Sequence, residues 1–126
     1  MALEPPPLAV QLELQRAEES QAEEEPEWSS CVTYLRLKWG IPIRGDALFA
    51  IPNITLVEAR PGDVVVFLYG RGADKSHVAR LDKITHQGIW VHEYNRIPFT
   101  EDYRLVDFND KALLGFYRPS LDPRLQ

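Results

Sequence analysis

One thiol, three imidazoles and a carboxylate–amide pair are the side chains of this chain whose types and order could do nucleophilic chemistry. Cys31 is the only cysteine, so it has no partner for an intramolecular disulfide, and no Cys/His cluster has zinc-ligand spacing. A thiolate nucleophile needs an adjacent base to take its proton and later protonate the leaving group, and imidazole titrates in the right range. A third polar group must then orient the ring. His77, with Glu93 and Asn95 one pleat repeat apart further on, supplies that set, and the chemistry it would perform is acyl transfer through a thioester. The structural alternatives are a lone Cys acting as a small buried hydrophobe, and a Glu-x-Asn pair that simply marks a strand end emerging into water.

These side chains need elements to hold them. Ser29 and Ser30 are good N-cap residues, and Gly40 followed by Pro42 is a good stop, so the spacing predicts a short helix with Cys31 in its first turn. There the unpaired backbone N–H groups and the positive end of the helix dipole favour thiolate. Val32, Leu35 and Trp39 recur at helical spacing and would bury one face. The turn Pro61-Gly62-Asp63 launches an unbroken apolar run over 64–69, which predicts a central strand. Strand character resumes over 76–81, with His77, Ala79 and Leu81 on one face and turns expected at Asp82-Lys83 and 86–88. A third strand is expected over 89–95. Period two puts Trp90, His92 and Tyr94 on one side of it, and Ile89, Val91, Glu93 and Asn95 on the other. A last strand is expected over 113–119.

Of the three histidines, His86 falls in an expected turn and His92 points away from Glu93, which leaves His77 as the best base. Glu93, or the amide oxygen of Asn95, could accept its Nδ1 proton. The backbone N–H of Cys31 would meet the oxyanion, with Ser30 or Tyr34 as candidate second donors. Trp28, Trp90 and Tyr94 are candidate groove aromatics for substrate, with core packing as the alternative for each.

The chain has 126 residues, 44% of them hydrophobic, enough for one domain of modest core. Its net charge of -5 is concentrated in residues 1–27, which hold eight glutamates and one arginine and leave the remainder close to neutral. That balance argues against nucleic-acid binding, which needs clustered Lys and Arg. Neither a secretory signal nor a membrane-length apolar run is evident, so synthesis in the cytoplasm without membrane insertion is expected. Residues 1–27 read as an acidic arm, either disordered or docking, and the apolar spacing of Leu8, Val10, Leu12 and Leu14 fits helix or strand equally.

Five segments in order resemble a known family: Cys31-Val32-Thr33-Tyr34, Pro61-Gly62-Asp63-Val64-Val65-Val66-Phe67, Ser76-His77-Val78-Ala79-Arg80, Val91-His92-Glu93-Tyr94-Asn95 and Leu114-Gly115-Phe116-Tyr117-Arg118-Pro119. Together they are similar to the cysteine- and histidine-dependent amidohydrolase/peptidase (CHAP) domains and, more distantly, to the NlpC-type peptidases. The resemblance implies that residues 28–126 form a papain-like α+β domain, an N-terminal helix packed on a roughly five-stranded antiparallel sheet. It also implies hydrolysis of a peptide or amide bond in peptidoglycan, with Cys31 as nucleophile, His77 as base, and Glu93 and Asn95 as orienting groups. No metal or organic cofactor is required by that chemistry. Where many members carry Gln before the cysteine, this chain has Ser30. A phage-encoded or virion-associated enzyme acting at the cell wall would fit, with the arm as a docking segment. The alternatives are a non-catalytic component of a phage tail or baseplate, and a cysteine peptidase or transferase acting inside the cell.

Overall fold

The computed structural model describes residues 28–70 and 75–126, so the expected docking role of residues 1–27 lies outside the described residues. Among the described residues the element order is one α-helix, α1 (Cys31–Trp39), then a short 3-10 turn at Ala47–Phe49 and five strands. The strands are β1 (Val64–Leu68), β2 (Ser76–Thr85), β3 (Gly88–Tyr94), β4 (Glu101–Val106) and β5 (Leu113–Tyr117). Two further 3-10 turns, Pro119–Leu121 and Pro123–Leu125, close the chain.

α1 begins and ends as its caps dictate. The Ser30 hydroxyl accepts from the Thr33 N–H at 3.1 Å, and Gly40 takes a left-handed conformation (φ 69°) that returns its N–H to the Arg36 carbonyl. Val32, Tyr34 and Leu35 are its buried residues. Asp46 caps the 3-10 turn through the Leu48 N–H at 2.9 Å.

All strand pairs are antiparallel, in the order β4-β3-β2-β1-β5. β1 is buried on both faces from Val64 to Phe67, which is what its unbroken apolar run requires. One face of the sheet joins α1 in a cluster of Val32, Tyr34, Leu35, Val64, Val66, Val78 and Tyr94, among others. The other face gathers Val65, Phe67, Ala79, Leu81, Ile89, Val91 and Val106, and Ile54 and Phe116 complete it. Each fully buried side chain of this size contributes roughly 1.5–3 kcal/mol of transfer free energy.

The papain-like α+β expectation is corrected by this architecture. Among the described residues, nine residues of helix in one segment stand against five strands, so the domain is sheet-dominated, and a single short helix does not make a helical layer. The cause lies in the stretch between Gly40 and Val64, where Pro42, Pro52 and Pro61 break up any second helix. Two boundaries also differ. β2 runs on through Asp82-Lys83 to Thr85, because Asp82 sits in a bulge between the Leu81 and Lys83 pairings rather than in a turn. β4 was not expected at all. Its alternation of charged and apolar residues is that of an edge strand, with Glu101, Tyr103 and Leu105 exposed and Val106 buried. Close approach of β4 to β3 depends on Gly88 (φ 149°), since a Cβ there would lie 2.4 Å from the Val106 carbonyl oxygen.

Candidate active site

Cys31, half-buried in the first turn of α1, shares a cavity of about 360 Å³ with His77 at the start of β2. Ser30, Val32, Gly45, Asp46, Ala47, Ser76 and Asn95 complete the lining. The lining thus comes from the start of α1, the loop and 3-10 turn at 45–47, the start of β2 and the residue after β3. Cys31 and His77 face the same cavity, and the Cys31 side chain is one of the groups that raise the His77 pKa.

His77 is buried, 5% exposed, with Phe67 and Tyr69 as flanking rings at 5.7 and 6.4 Å between centroids. Behind it, Nε2 lies 2.9 Å from Glu93 Oε1. Nε2 rather than the expected Nδ1 faces the acceptor, which leaves Nδ1 as the ring nitrogen for the sulfur side. Period two had placed His77 with Ala79 and Leu81, and Glu93 with Val91, and the β2–β3 register lays those two rows side by side on one face of the sheet. A protonated His77 is opposed by burial, but the influence of Cys31 and the contact with Glu93 outweigh that and raise its pKa above the usual value.

Glu93 is 0% exposed, and burial alone would push its carboxyl upward. Hydrogen bonds from His77 and Arg104 reverse the direction and bring it down to about 2. Arg104, on β4, donates from Nε to Oε2 at 2.5 Å and from Nη2 to Oε1 at 3.1 Å. Arg96 Nε lies 3.4 Å from Oε2. Sequence reasoning missed Arg104 because it missed the strand that carries it. The one signal available was the weak alternation over 101–106.

Asn95 lines the same cavity but does not hold the ring. It sits just past β3 with φ 71°, and its Oδ1 accepts from the Phe99 N–H at 2.8 Å, so its oxygen organises the turn into β4. Between the two candidate orienting groups, Glu93 is the one bonded to His77.

The other histidines stay apart. His92 stacks between Trp39 and Tyr103, 3.8 Å from Asp82, and burial lowers its pKa. His86 lies in the exposed β2–β3 turn. The three expected groove aromatics are also placed elsewhere, and none lines the Cys31 cavity. Trp28 packs edge-on against Tyr34 and Tyr94, which themselves stack at 5.7 Å, while Trp90 stacks on Tyr103 at 5.1 Å.

The two expected second oxyanion donors are committed to other partners. The Ser30 hydroxyl caps α1, and the Tyr34 hydroxyl donates to Glu101 at 2.7 Å. First-turn backbone N–H groups of α1 remain, since helix geometry gives Cys31 and Val32 no acceptor four residues back. Among the described residues no three His, Cys, Asp or Glu side chains converge as a metal ion would require. Nor is any described helix long and apolar enough to cross a membrane. Neither family models, nor curated proteins, nor solved structures give a match to this chain.

Proposed function

We propose that this chain is a cysteine-dependent amide hydrolase with Cys31 as nucleophile, His77 as general base and acid, and Glu93 as the group that orients His77. The observation that carries the proposal is the shared cavity, which Cys31 lines together with a buried imidazole whose Nε2 is 2.9 Å from a fully buried carboxylate. Such a line of sulfur, ring and carboxylate does the three jobs that acyl transfer to a thiol demands.

In the first half-reaction His77 takes the Cys31 proton and the sulfur attacks the amide carbonyl carbon. The oxyanion that forms is stabilised by the Cys31 N–H at the positive end of α1. The imidazolium, steadied by Glu93, then gives its proton to the departing amine as the C–N bond breaks, leaving a thioester. In the second half-reaction His77 deprotonates water, which attacks the thioester carbon and restores the thiol as the acid departs.

The substrate class rests on the order of motifs in the sequence. Their resemblance to the CHAP amidohydrolases directs the reading to peptide or amide bonds of peptidoglycan, and hence to action at the cell wall.

The test is incubation of the purified chain with purified peptidoglycan, with new amino groups and soluble peptides measured by mass spectrometry. Release of fragments that stops in Cys31→Ala and His77→Ala is the expected result. Absence of fragments from the wild-type chain, together with a Cys31 thiol no more reactive toward iodoacetamide than a free thiol, would overturn the proposal.

A further inference from the structure

Glu93 is gripped more firmly than a hydrogen bond to one imidazole explains. A glutamate carboxylate held at a single oxygen keeps a broad, roughly two-fold torsion about its last bond. Here both oxygens are fixed. Arg104 reaches across from β4, where Val91 is its register partner and Glu93 its diagonal neighbour, and sets its guanidinium parallel to the carboxylate. The fork itself is held in place. It lies 5.4 Å from the Phe67 ring centroid. Oε1, which receives Nη2, is also the oxygen 2.9 Å from His77 Nε2.

We infer that Arg104 is a positioning residue of this site: its fork fixes the plane of the Glu93 carboxylate and, through Glu93, the rotation of the His77 ring toward Cys31. This inference rests on the roles proposed above for Cys31, His77 and Glu93. Arg96 does not duplicate the function. Its side chain is 34% exposed, it offers Oε2 a single contact at 3.4 Å, and Asp102 shares it at 3.3 Å. Arg96 adds charge but no plane. Simple neutralisation of a buried carboxylate is the competing account of Arg104, and the two differ in what a lysine can do, because an ammonium supplies the charge without the fork.

The groups that face Glu93 are His77 from β2, Arg104 from β4, Arg96 from the turn after β3 and Tyr69 from the end of β1, with Cys31 of α1 beyond His77. Two readouts report on this line without any substrate: the NMR titration of the His77 ring, and the rate of Cys31 carboxamidomethylation by iodoacetamide. Both are measured between about pH 5 and pH 9, across the titration range of imidazole, in the wild-type chain, His77→Ala, Arg104→Gln and Arg104→Lys, with thermal melts as the check on folding.

In Arg104→Gln the Cys31 rate near neutral pH is expected to fall by about tenfold, and the His77 midpoint to move off its wild-type value. Arg104→Lys, which retains the charge and hence the fold should the Gln variant unfold, is expected to recover only part of that loss. Full recovery of both profiles by lysine overturns the inference in favour of neutralisation, as does a folded Arg104→Gln chain with wild-type profiles. If His77→Ala leaves Cys31 reactivity unchanged, the thiol–imidazole reading itself fails. Dependence on His77 combined with indifference to Arg104 sinks the present inference alone.

Discussion

Asp63 and Glu93 are both buried carboxylates held by an arginine fork, and they do different things. Asp63, at the launch of β1, accepts from Arg118 Nε at Oδ1 and Nη2 at Oδ2, both at 2.8 Å, and Oδ2 also takes the Arg60 N–H at 2.8 Å. Arg118 in turn donates to the Glu58 carbonyl oxygen at 2.9 Å. Every partner there is backbone or arginine, so the pair staples the 58–63 turn to the chain after β5. A cavity of about 440 Å³, larger than the one at Cys31, lies over this pair, yet neither thiol nor imidazole lines it. Glu93 has the same fork, but its Oε1 also receives an imidazole that opens onto a cavity with a thiol. The lesson is that a buried ion pair is equally at home as a staple and as part of a site. What separates the two is whether a titratable group with access to a cavity shares the carboxylate.

Removing the reactive groups breaks that comparison most sharply. Cys31→Ala and His77→Ala are each expected to lower hydrolysis by at least about a thousandfold. The half-buried Cys31 should change stability by no more than about 1 kcal/mol. Turnover assays paired with thermal melts check both halves of the expectation.

Truncating the carboxylates themselves comes next. Glu93→Ala strands the half-buried Arg104 and is expected to cost roughly 3–5 kcal/mol in denaturant titrations, while Asp63→Ala, which strands Arg118 and removes a slightly less buried carboxylate, should also destabilise but by less. Activity should separate them. Glu93→Gln, which keeps the shape, is expected to lose roughly a hundredfold or more in kcat, whereas Asp63→Asn should retain near wild-type kcat in whatever fraction is folded. A loss of kcat in folded Asp63→Asn would mean that the staple also shapes the site.

Much of this contrast was legible in the residues, and the rest was hidden for identifiable reasons. Ser30 and Gly40 announce α1, and four consecutive apolar residues from Val64 announce a strand buried on both faces, because capping and burial are local rules. β4 was invisible because an edge strand can be half charged, and Arg104 vanished with it. Asp82 read as a turn residue when it marks a bulge. Period two groups Glu93 with Asn95 as a repeat, but it does not foresee that β3 ends at Tyr94 and that Asn95, at positive φ, spends its oxygen on Phe99. Aromatic residue type alone could not say that Trp28, Trp90 and Tyr94 stack on neighbours instead of lining a groove. Which nitrogen of His77 faces Glu93 depends on side-chain rotation, for which the chain carries no local code.

pH sharpens the comparison with a smaller effect. The Glu93 carboxyl is depressed to about 2 from an ordinary 4.5, so its contribution to stability is complete above about pH 4.5 and disappears as pH falls toward 2. His77 is shifted the other way, raised from 6.5, so its contribution is complete below about pH 6.5 and is lost as pH rises through its folded-state value. Both are complete only between about pH 4.5 and 6.5, and denaturant midpoints should peak there. In His77→Ala the decline on the alkaline side of neutrality should flatten. An unchanged alkaline limb in that variant would show that the His77–Glu93 contact contributes nothing to folding.

The smallest expected effect separates Glu93 from its neighbour Asn95. If the Asn95 side chain matters mainly for the turn, Asn95→Gly removes the bond to the Phe99 N–H while retaining the backbone freedom that φ 71° requires, and the two changes should nearly offset. Asn95→Ala loses the same bond and adds strain at positive φ, for a cost of about 1–2 kcal/mol in denaturant titration. Neither should move the kcat of folded protein by more than about threefold, well below the hundredfold expected for Glu93→Gln. A large kcat loss in Asn95→Gly, with stability intact, would instead make the amide a participant beside His77, and the orienting role would then belong to the pair and not to the carboxylate alone.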